Sequence, residues 1–156
     1  MTKKKQHEKL DAPTTTSGIN FKPTETQILG LMSQAQRTLW GGSAGAGKSH
    51  LIRMASIYFS LKIPGLQTFL FRRHSGDLVM NHMQGAGGFI ALLEPLIKAG
   101  VCTIKSRELM IVFNNKSVIK LAHLNHFNEI YKYQGMEINF LIFDELTHFH
   151  KKEYEF

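Results

Sequence analysis

The segment that most constrains this chain is a run of glycines and small residues that ends in lysine and serine. Residues 41–49 read GGSAGAGKS, and from Gly42 onward they fit the spacing G-x-x-x-x-G-K-[ST]. Glycines allow backbone angles that a Cβ forbids, so successive N–H groups can line one concavity that holds an anion. The segment predicts a phosphate-binding loop, the Walker A pattern, made of Gly42, Ser43, Ala44, Gly45, Ala46, Gly47, Lys48 and Ser49.

The flanking residues predict the context that this pattern requires, a strand before the loop and a helix after it. Residues 37–40 (RTLW) are short and β-prone, and they predict a buried strand. Residues 50–61 are apolar at most positions and predict a helix that ends before Pro64 and Gly65. In this setting Lys48 would reach the β- and γ-phosphates of a nucleotide, and the Ser49 hydroxyl would ligate magnesium.

Composition narrows the class of protein. A length of 156 residues favours one domain, and the single cysteine, Cys102, excludes an internal disulfide and a cysteine-based zinc cluster. No apolar run is long enough to span a bilayer, and a reducing, cytoplasmic setting is expected. The net charge of +7 favours nucleic acid as a partner. Some of that charge lies in residues 1–20, which predict a disordered basic tail ahead of a domain over residues 21–156.

Further patterns place strands and helices around the loop. Residues 24–35 predict a helix that carries Gln27, and residues 67–71 predict a second strand with Arg72 and Arg73 at its C-terminal end. Residues 89–99 predict a helix that contains Pro95. Residues 109–113 and 117–121 predict a β-hairpin, and residues 138–143 predict a buried strand. Ligands of open α/β sheets bind outside the carboxyl ends of strands, so the arginines are expected near the site.

The last of these strands delivers two acids. Residues 140–143 are apolar, and Asp144 and Glu145 follow at once, which is the Walker B pattern. A buried carboxylate is costly without a partner, and magnesium on nucleotide phosphates supplies one, so Asp144 would hold the metal opposite Ser49. Glu145 would activate the attacking water as general base, beside the catalytic Lys48. The sequence therefore predicts a site that binds ATP and Mg²⁺ and hydrolyses the nucleotide.

The sequence offers three other interpretations, and each is disfavoured. His123 with His126, and His148 with His150, have close spacings, but no acid or cysteine completes a zinc set around the first pair, so packing or surface roles are favoured for both. A nucleotide-binding module without turnover is disfavoured because it does not need the base Glu145. A nucleoside kinase is disfavoured because no acceptor-binding lid is evident.

Taken in order, the motifs resemble the ATPase domain of the large terminase subunit of tailed bacteriophages. The resemblance rests on Gln27 and on segments 21–23, 41–49, 69–73, 111–119, 133–137 and 141–149. It implies a P-loop NTPase three-layer sandwich with a mainly parallel sheet, of the branch with its glutamate beside Walker B. It also implies that Gln27 contacts adenine, and that ATP hydrolysis drives viral DNA into a procapsid. The alternative is another P-loop ATPase acting on nucleic acid, such as a helicase or a repair or replication ATPase.

The resemblance further implies partners and a location. The expected partners are double-stranded DNA, the small terminase subunit, the portal protein and copies of the chain in a ring when full length, with no membrane partner. The expected location is the host cytoplasm, transiently docked on the procapsid.

Two features depart from the family. Many members carry an arginine inside the phosphate loop or just before the glycine that leads to Walker B, where this chain has Ser43, Ala44 and Gln134. The arginine that completes a neighbour's site is therefore unassigned, with Arg72, Arg73 and Lys132 as candidates. Members are also much longer and continue into a ribonuclease-H-like nuclease. The resemblance thus predicts a domain truncated after Walker B, incomplete at its C-terminus and without nuclease activity.

Overall fold

The computed structural model describes residues 22–42, 45 and 47–155, which form an α/β domain around a five-stranded sheet. Its helices are α1 (Glu25–Leu31), α2 (Lys48–Lys62), α3 (Ser75–Leu78), α4 (Phe89–Lys98) and α5 (Lys151–Tyr154). Its strands are β1 (Gln67–Arg72), β2 (Cys102–Lys105), β3 (Met110–Phe113), β4 (Val118–His123) and β5 (Phe140–Phe143). A π-helical turn (Val79–Met83) continues α3, and a 3₁₀ segment (Phe127–Tyr133) precedes β5.

The strand order is β2-β3-β4-β1-β5. β1 lies between β4 and β5 and is parallel to both, with Leu70 opposite Leu121 on one side and Ile142 on the other. The strands β2, β3 and β4 pair antiparallel through short turns. The sheet is therefore mixed, and the mainly parallel sheet that we expected is wrong. The reason is that short turns reverse the chain, whereas parallel neighbours need long crossovers.

Successive side chains of each strand point to opposite sides, so the sheet presents two faces. An apolar cluster covers each face. Leu70 belongs to the larger cluster, on the face of α2 and α4. Its other fully or nearly buried members are Met54, Ile57, Leu78, Met83, Phe89, Leu93, Leu96, Cys102, Ile111, Phe113, Ile119 and Leu121. Phe69 and Phe71 belong to the second cluster, where the rings of Phe71 and Phe143 stack with centroids 5.2 Å apart. The sheet thus has a packed apolar layer on each face.

Several predicted elements are confirmed. The helix after the loop is α2, the second predicted strand is β1, and the hairpin is β3 and β4. The hairpin turn places Lys116 at a φ of 72°. The predicted helix over 89–99 is α4, and it tolerates Pro95 in its interior. Within the described ranges, no helix is long and apolar enough to cross a lipid bilayer.

The predicted strand over residues 37–40 is wrong. The structure assigns no strand there, and Leu39 is 78% exposed. The ring of Trp40 instead lies on α1, so close to Gly30 that a Cβ at that position would clash with it. The apolar ring of Trp40 is therefore covered by α1 and not by the sheet.

Three boundaries or burial predictions also need correction. The helix expected over 24–35 ends at Leu31, and β2 was not predicted. The buried strand expected over 138–143 is β5, which begins at Phe140 and leaves Leu141 45% exposed. This exposure arises because β5 pairs on one side only, with β1. The predicted tail over residues 1–20, together with Phe21, lies outside the described residues.

Candidate functional site

The glycine-rich loop needs its glycines for their backbone angles. Gly42, Gly45 and Gly47 have φ values of 146°, 81° and 73°. Residues that carry a Cβ rarely adopt such positive φ angles. Ser43, Ala44 and Ala46, also expected to hold phosphate, lie outside the described residues. Gly47 is the residue that precedes α2, so the helix begins at Lys48 directly from the loop. The loop therefore leads into the positive end of a 15-residue helix.

Two predicted side chains lie against this loop. The ammonium group of Lys48 donates to the carbonyl of Gly42 at 2.6 Å, which spans the loop from its end to its start. Gln27 is buried, and its Nε2 lies 3.5 Å from the carbonyl oxygen of Gly47. Its Oε1 accepts from the backbone N–H of Thr24 at 3.0 Å, within the capping box that begins α1. The first turn of α1 thus fixes Gln27 beside the loop.

Asp144 lies buried at the end of β5 and is held by two basic side chains. Nε2 of His82 is 2.9 Å from Oδ2 of Asp144, and Nη1 of Arg72 is 3.7 Å from the same oxygen. Burial alone would raise the pKa of Asp144. The hydrogen bond and charge of His82, the charge of Arg72 and the backbone N–H of Glu145 outweigh burial, so the pKa lies below its ordinary value. Asp144 is therefore ionised at neutral pH.

Glu145, the expected base, has a strained backbone and an engaged carboxylate. Its φ of 56° and ψ of 54° are left-handed, which costs about 1–3 kcal/mol for a residue with a side chain. Oε1 lies 2.5 Å from Nη2 of Arg72, and Oε2 lies 3.2 Å from Nδ1 of His148. The side chain of Glu145 remains 41% exposed, whereas that of Arg72 is 10% exposed. The acid that faces solvent is thus held by a buried arginine.

Polar contacts that no sequence pattern predicted connect α2 to Asp144. Nη1 of Arg53, on α2, donates to the carbonyl of Asn81 at 2.8 Å and lies 3.5 Å from Nδ1 of His82. Burial lowers the pKa of Arg53, and the charge of Asp144 opposes that effect. His82 lies in the π-helical turn and is fully buried, whereas Met80 of the same turn is 71% exposed. Such turns are frequent at functional sites, but no sequence pattern reveals them.

The three candidates for an arginine or lysine that reaches a neighbouring copy are engaged within the chain. Arg72 pairs with Asp144 and Glu145, as described above. Arg73 donates from Nη1 and Nη2 to the two carboxylate oxygens of Glu153, at 2.9 and 2.7 Å, and its guanidinium lies 4.5 Å from the centroid of Phe149. Lys132 is 2.7 Å from Glu129 on the surface. Each candidate therefore has a partner within its own chain, and a role for any of them in a neighbouring copy stays a prediction.

The residues expected to hold a cation fit magnesium with a nucleotide. Ser49 and Asp144 offer a hydroxyl and a carboxylate, which are the hard oxygen donors that magnesium takes together with phosphates and water. Among the described residues, no group of three or more His, Cys, Asp and Glu side chains is placed to hold a metal. A magnesium site at Ser49 and Asp144 stays a prediction.

Comparison with known proteins identifies the family. The family described as "Terminase large subunit, T4likevirus-type, N-terminal" matches residues 39–155, well over half of the chain. That span includes the glycine-rich loop from Gly42 onward, both arginines at the end of β1, and the acid pair after β5. No curated protein and no solved structure matches the chain. The chain belongs to the family of N-terminal regions of T4-like terminase large subunits.

Proposed function

We propose that this chain binds and hydrolyses ATP, and that it does so as part of the motor that packages DNA in a tailed phage. The observation that supports the proposal is that Arg53 and His82 connect the helix after the loop to Asp144 of the acid pair. Arg72 ends β1 and Asp144 follows its parallel neighbour β5, so the two residues lie at the same carboxyl edge of the sheet. α2 precedes β1 and packs on it, and Arg53 and His82 connect α2 to Asp144.

The chemistry of each residue supports nucleotide hydrolysis on a P-loop fold. Backbone N–H groups of the loop would surround the phosphates, and Lys48 would exchange the carbonyl of Gly42 for phosphate oxygens. Ser49 and Asp144 would hold Mg²⁺, which shields phosphate charge when bound. Glu145 would orient and deprotonate the attacking water. Phosphoryl transfer needs mainly positioning and charge stabilisation, which these groups supply. Gln27, fixed beside Gly47, would contact the adenine ring.

Family membership and charge support a packaging role. A terminase large subunit acts on phage DNA together with other packaging components, and the net charge of +7 favours a polyanionic partner. We propose double-stranded DNA, the small terminase subunit and the portal protein as partners. We also propose that copies of the chain act as a ring docked on a procapsid in the host cytoplasm.

The test is ATP hydrolysis by the native protein that carries this sequence, with and without double-stranded DNA. Replacing Glu145 by glutamine keeps the shape and removes the base, so turnover should fall by about 10²–10⁴-fold while ATP binding persists. Glu94→Gln is the control, because Glu94 is an exposed acid on α4 that pairs with Lys98. Turnover of Glu145→Gln near the wild-type rate would assign the base to another residue. Strand separation without uptake of DNA into procapsids would favour a helicase.

A further inference from the structure

We propose that Arg53 is a positioning residue that holds the imidazole of His82 against Asp144 and, through that imidazole, orients the carboxylate of Asp144. The proposal rests on the proposed function and adds a residue of α2 to the same site. Arg53 lies on the turn of α2 after Ser49, in the helix that begins at the glycine-rich loop. The position of Asp144 thereby depends on the helix that carries Lys48 and Ser49.

Arg53 contacts two successive residues of the π-helical turn. Its Nη1 donates to the backbone carbonyl of Asn81 at 2.8 Å and lies 3.5 Å from Nδ1 of His82. Arg53 is 8% exposed and His82 is fully buried, so water does not compete for these contacts. The other ring nitrogen of His82, Nε2, lies 2.9 Å from Oδ2 of Asp144. The ring of His82 is therefore held between Arg53 and Asp144.

These two contacts are satisfied together by one tautomer of His82. An ionised carboxylate only accepts, so Nε2 carries the proton that Asp144 receives. A guanidinium only donates, so the Nδ1 that faces Arg53 is the acceptor. The partner of one ring nitrogen thus sets the role of the other. The charge of His82 that lowers the pKa of Asp144 applies in acid, where that carboxyl titrates, whereas this tautomer describes the site at neutral pH.

The contact with His82 distinguishes the two oxygens of Asp144. His82 contacts Oδ2, and Nη1 of Arg72 lies 3.7 Å from the same oxygen. Within the described part of the chain, no side chain donates a hydrogen bond to Oδ1. Asp144 would therefore present Oδ1 to a nucleotide-bound cation while His82 holds Oδ2. Residues that orient a metal ligand in this way commonly contribute about 10–100-fold in metal affinity or activity.

Stability alone does not account for an arginine at this position. Nε of Arg53 is buried and has no hydrogen-bond partner among the described residues. Burial lowers the pKa of Arg53, because it disfavours the charged form, and the charge of Asp144 opposes that effect. A buried donor without a partner is destabilising, and such groups in native structures call for a functional explanation. The contact with His82 supplies one.

The closing experiment follows imidazole protons by NMR in the 156-residue chain with ¹⁵N-labelled histidine, without nucleotide. His82→Gln identifies the Nε2–H signal of His82 by its loss. In wild type this proton should exchange slowly with water, because it is buried and bonded to Asp144. Arg53→Met has a similar length and no donor, so exchange should become faster. Arg53→Lys keeps a donor and should retain slow exchange.

A backbone amide separates positioning of the ring from support of the whole turn. The N–H of Gln84 donates to the carbonyl of Val79 at 2.9 Å and closes the π-helical turn. Its protection should be the same in wild type and Arg53→Met. Loss of both signals together would show that Arg53 only holds the turn, and equal exchange of the His82 proton in both chains would overturn the proposal directly. Arg53→Gln, whose side chain is shorter, replaces Arg53→Met if that variant does not fold.

Kinetics in the native protein add a second readout. Arg53→Met should lower kcat by about 10–100-fold. The affinity for ATP, which is assigned to the loop and Lys48, should stay near wild type, and Arg53→Lys should restore part of kcat. Lys62→Met, an exposed residue at the end of the same helix, is the control.

The two readouts separate failure of this proposal from failure of the proposed function. Weaker ATP binding with unchanged kcat would place Arg53 in support of the loop and contradict its role at Asp144. A wild-type protein that does not hydrolyse ATP would contradict the proposed function, while proton exchange at His82 would still decide whether Arg53 holds the ring.

Discussion

The imidazole of His82 lies 2.9 Å from the carboxylate of Asp144, and both side chains are buried. His82 comes from the π-helical turn after α3, and Asp144 comes from the end of β5, 62 residues later. The contact therefore joins two parts of the chain at the site and places a donor on the acid expected to face magnesium. It also explains why an acid can be stable at this buried position.

The His82 contact predicts a difference between two substitutions of similar size. His82→Leu removes the donor and leaves Asp144 with one fewer partner, so the free energy of unfolding should fall by about 1–3 kcal/mol. His82→Gln can still donate to Asp144 and should lose less. Urea unfolding of both variants measures the difference. Equal losses would show that His82 contributes by packing alone.

The pair of Arg73 and Glu153 predicts a pH dependence of stability. The hydrogen bond from Arg73 lowers the pKa of Glu153; burial opposes this, and the N–H of His150 and the nearby charges add to it. Since the folded pKa lies below the ordinary 4.5, the stabilisation is complete above about pH 4.5 and is lost as the pH falls through the folded value. Glu153→Gln should cost about 1–3 kcal/mol at pH 7 and less in acid.

The check is urea unfolding of wild type and Glu153→Gln at pH 7 and at pH values below 4.5. Glu94→Gln is a matched control, because its pair with Lys98 is exposed to solvent and should contribute little. A destabilisation of Glu153→Gln that is constant with pH would contradict the role of the ionised carboxylate.

The basic composition predicts non-specific DNA binding that weakens with salt. Phosphate contacts release counterions, so the logarithm of the binding constant should fall by about 0.9 per contact for each logarithmic unit of salt. Deleting residues 1–20, which hold Lys3, Lys4, Lys5 and Lys9, should reduce that slope. Fluorescence anisotropy with duplex DNA over a salt series measures it. Affinity that does not change with salt would exclude the electrostatic interpretation.

The sequence predicted the parts of the fold that depend on local patterns. The mostly apolar stretch of α2 and the apolar run of β1 form the predicted elements, and both lie in packed layers. The positive φ angles of Gly42 and Gly47 agree with the loop pattern, since the spacing of glycines reflects a backbone requirement. The roles of Lys48, Ser49, Asp144 and Glu145 remain predictions until nucleotide binding is measured.

The predictions from the sequence failed where contacts between residues far apart in the chain determine the structure. Trp40 has the residue type of a strand, but its ring packs on Gly30, and this choice depends on tertiary structure. β5 reads as a buried strand, yet its exposure follows from its place at the edge of the sheet. No pattern in the sequence marks His82, which becomes a partner of Asp144 only through the fold, across 62 residues of chain. The separate partners of Arg72 and Arg73 likewise follow from the path of the chain after β5.

The central claim is that the glycine-rich loop binds ATP through Lys48, and calorimetric titration of the chain with Mg²⁺ and ATP tests it most directly. Lys48→Ala removes a charge-assisted hydrogen bond, so binding should weaken by about 1.5–3 kcal/mol, or roughly 10- to 150-fold in Kd. Lys62→Ala, at the last residue of the same helix, should bind ATP as wild type does. A Lys48→Ala variant that keeps wild-type affinity would contradict the account.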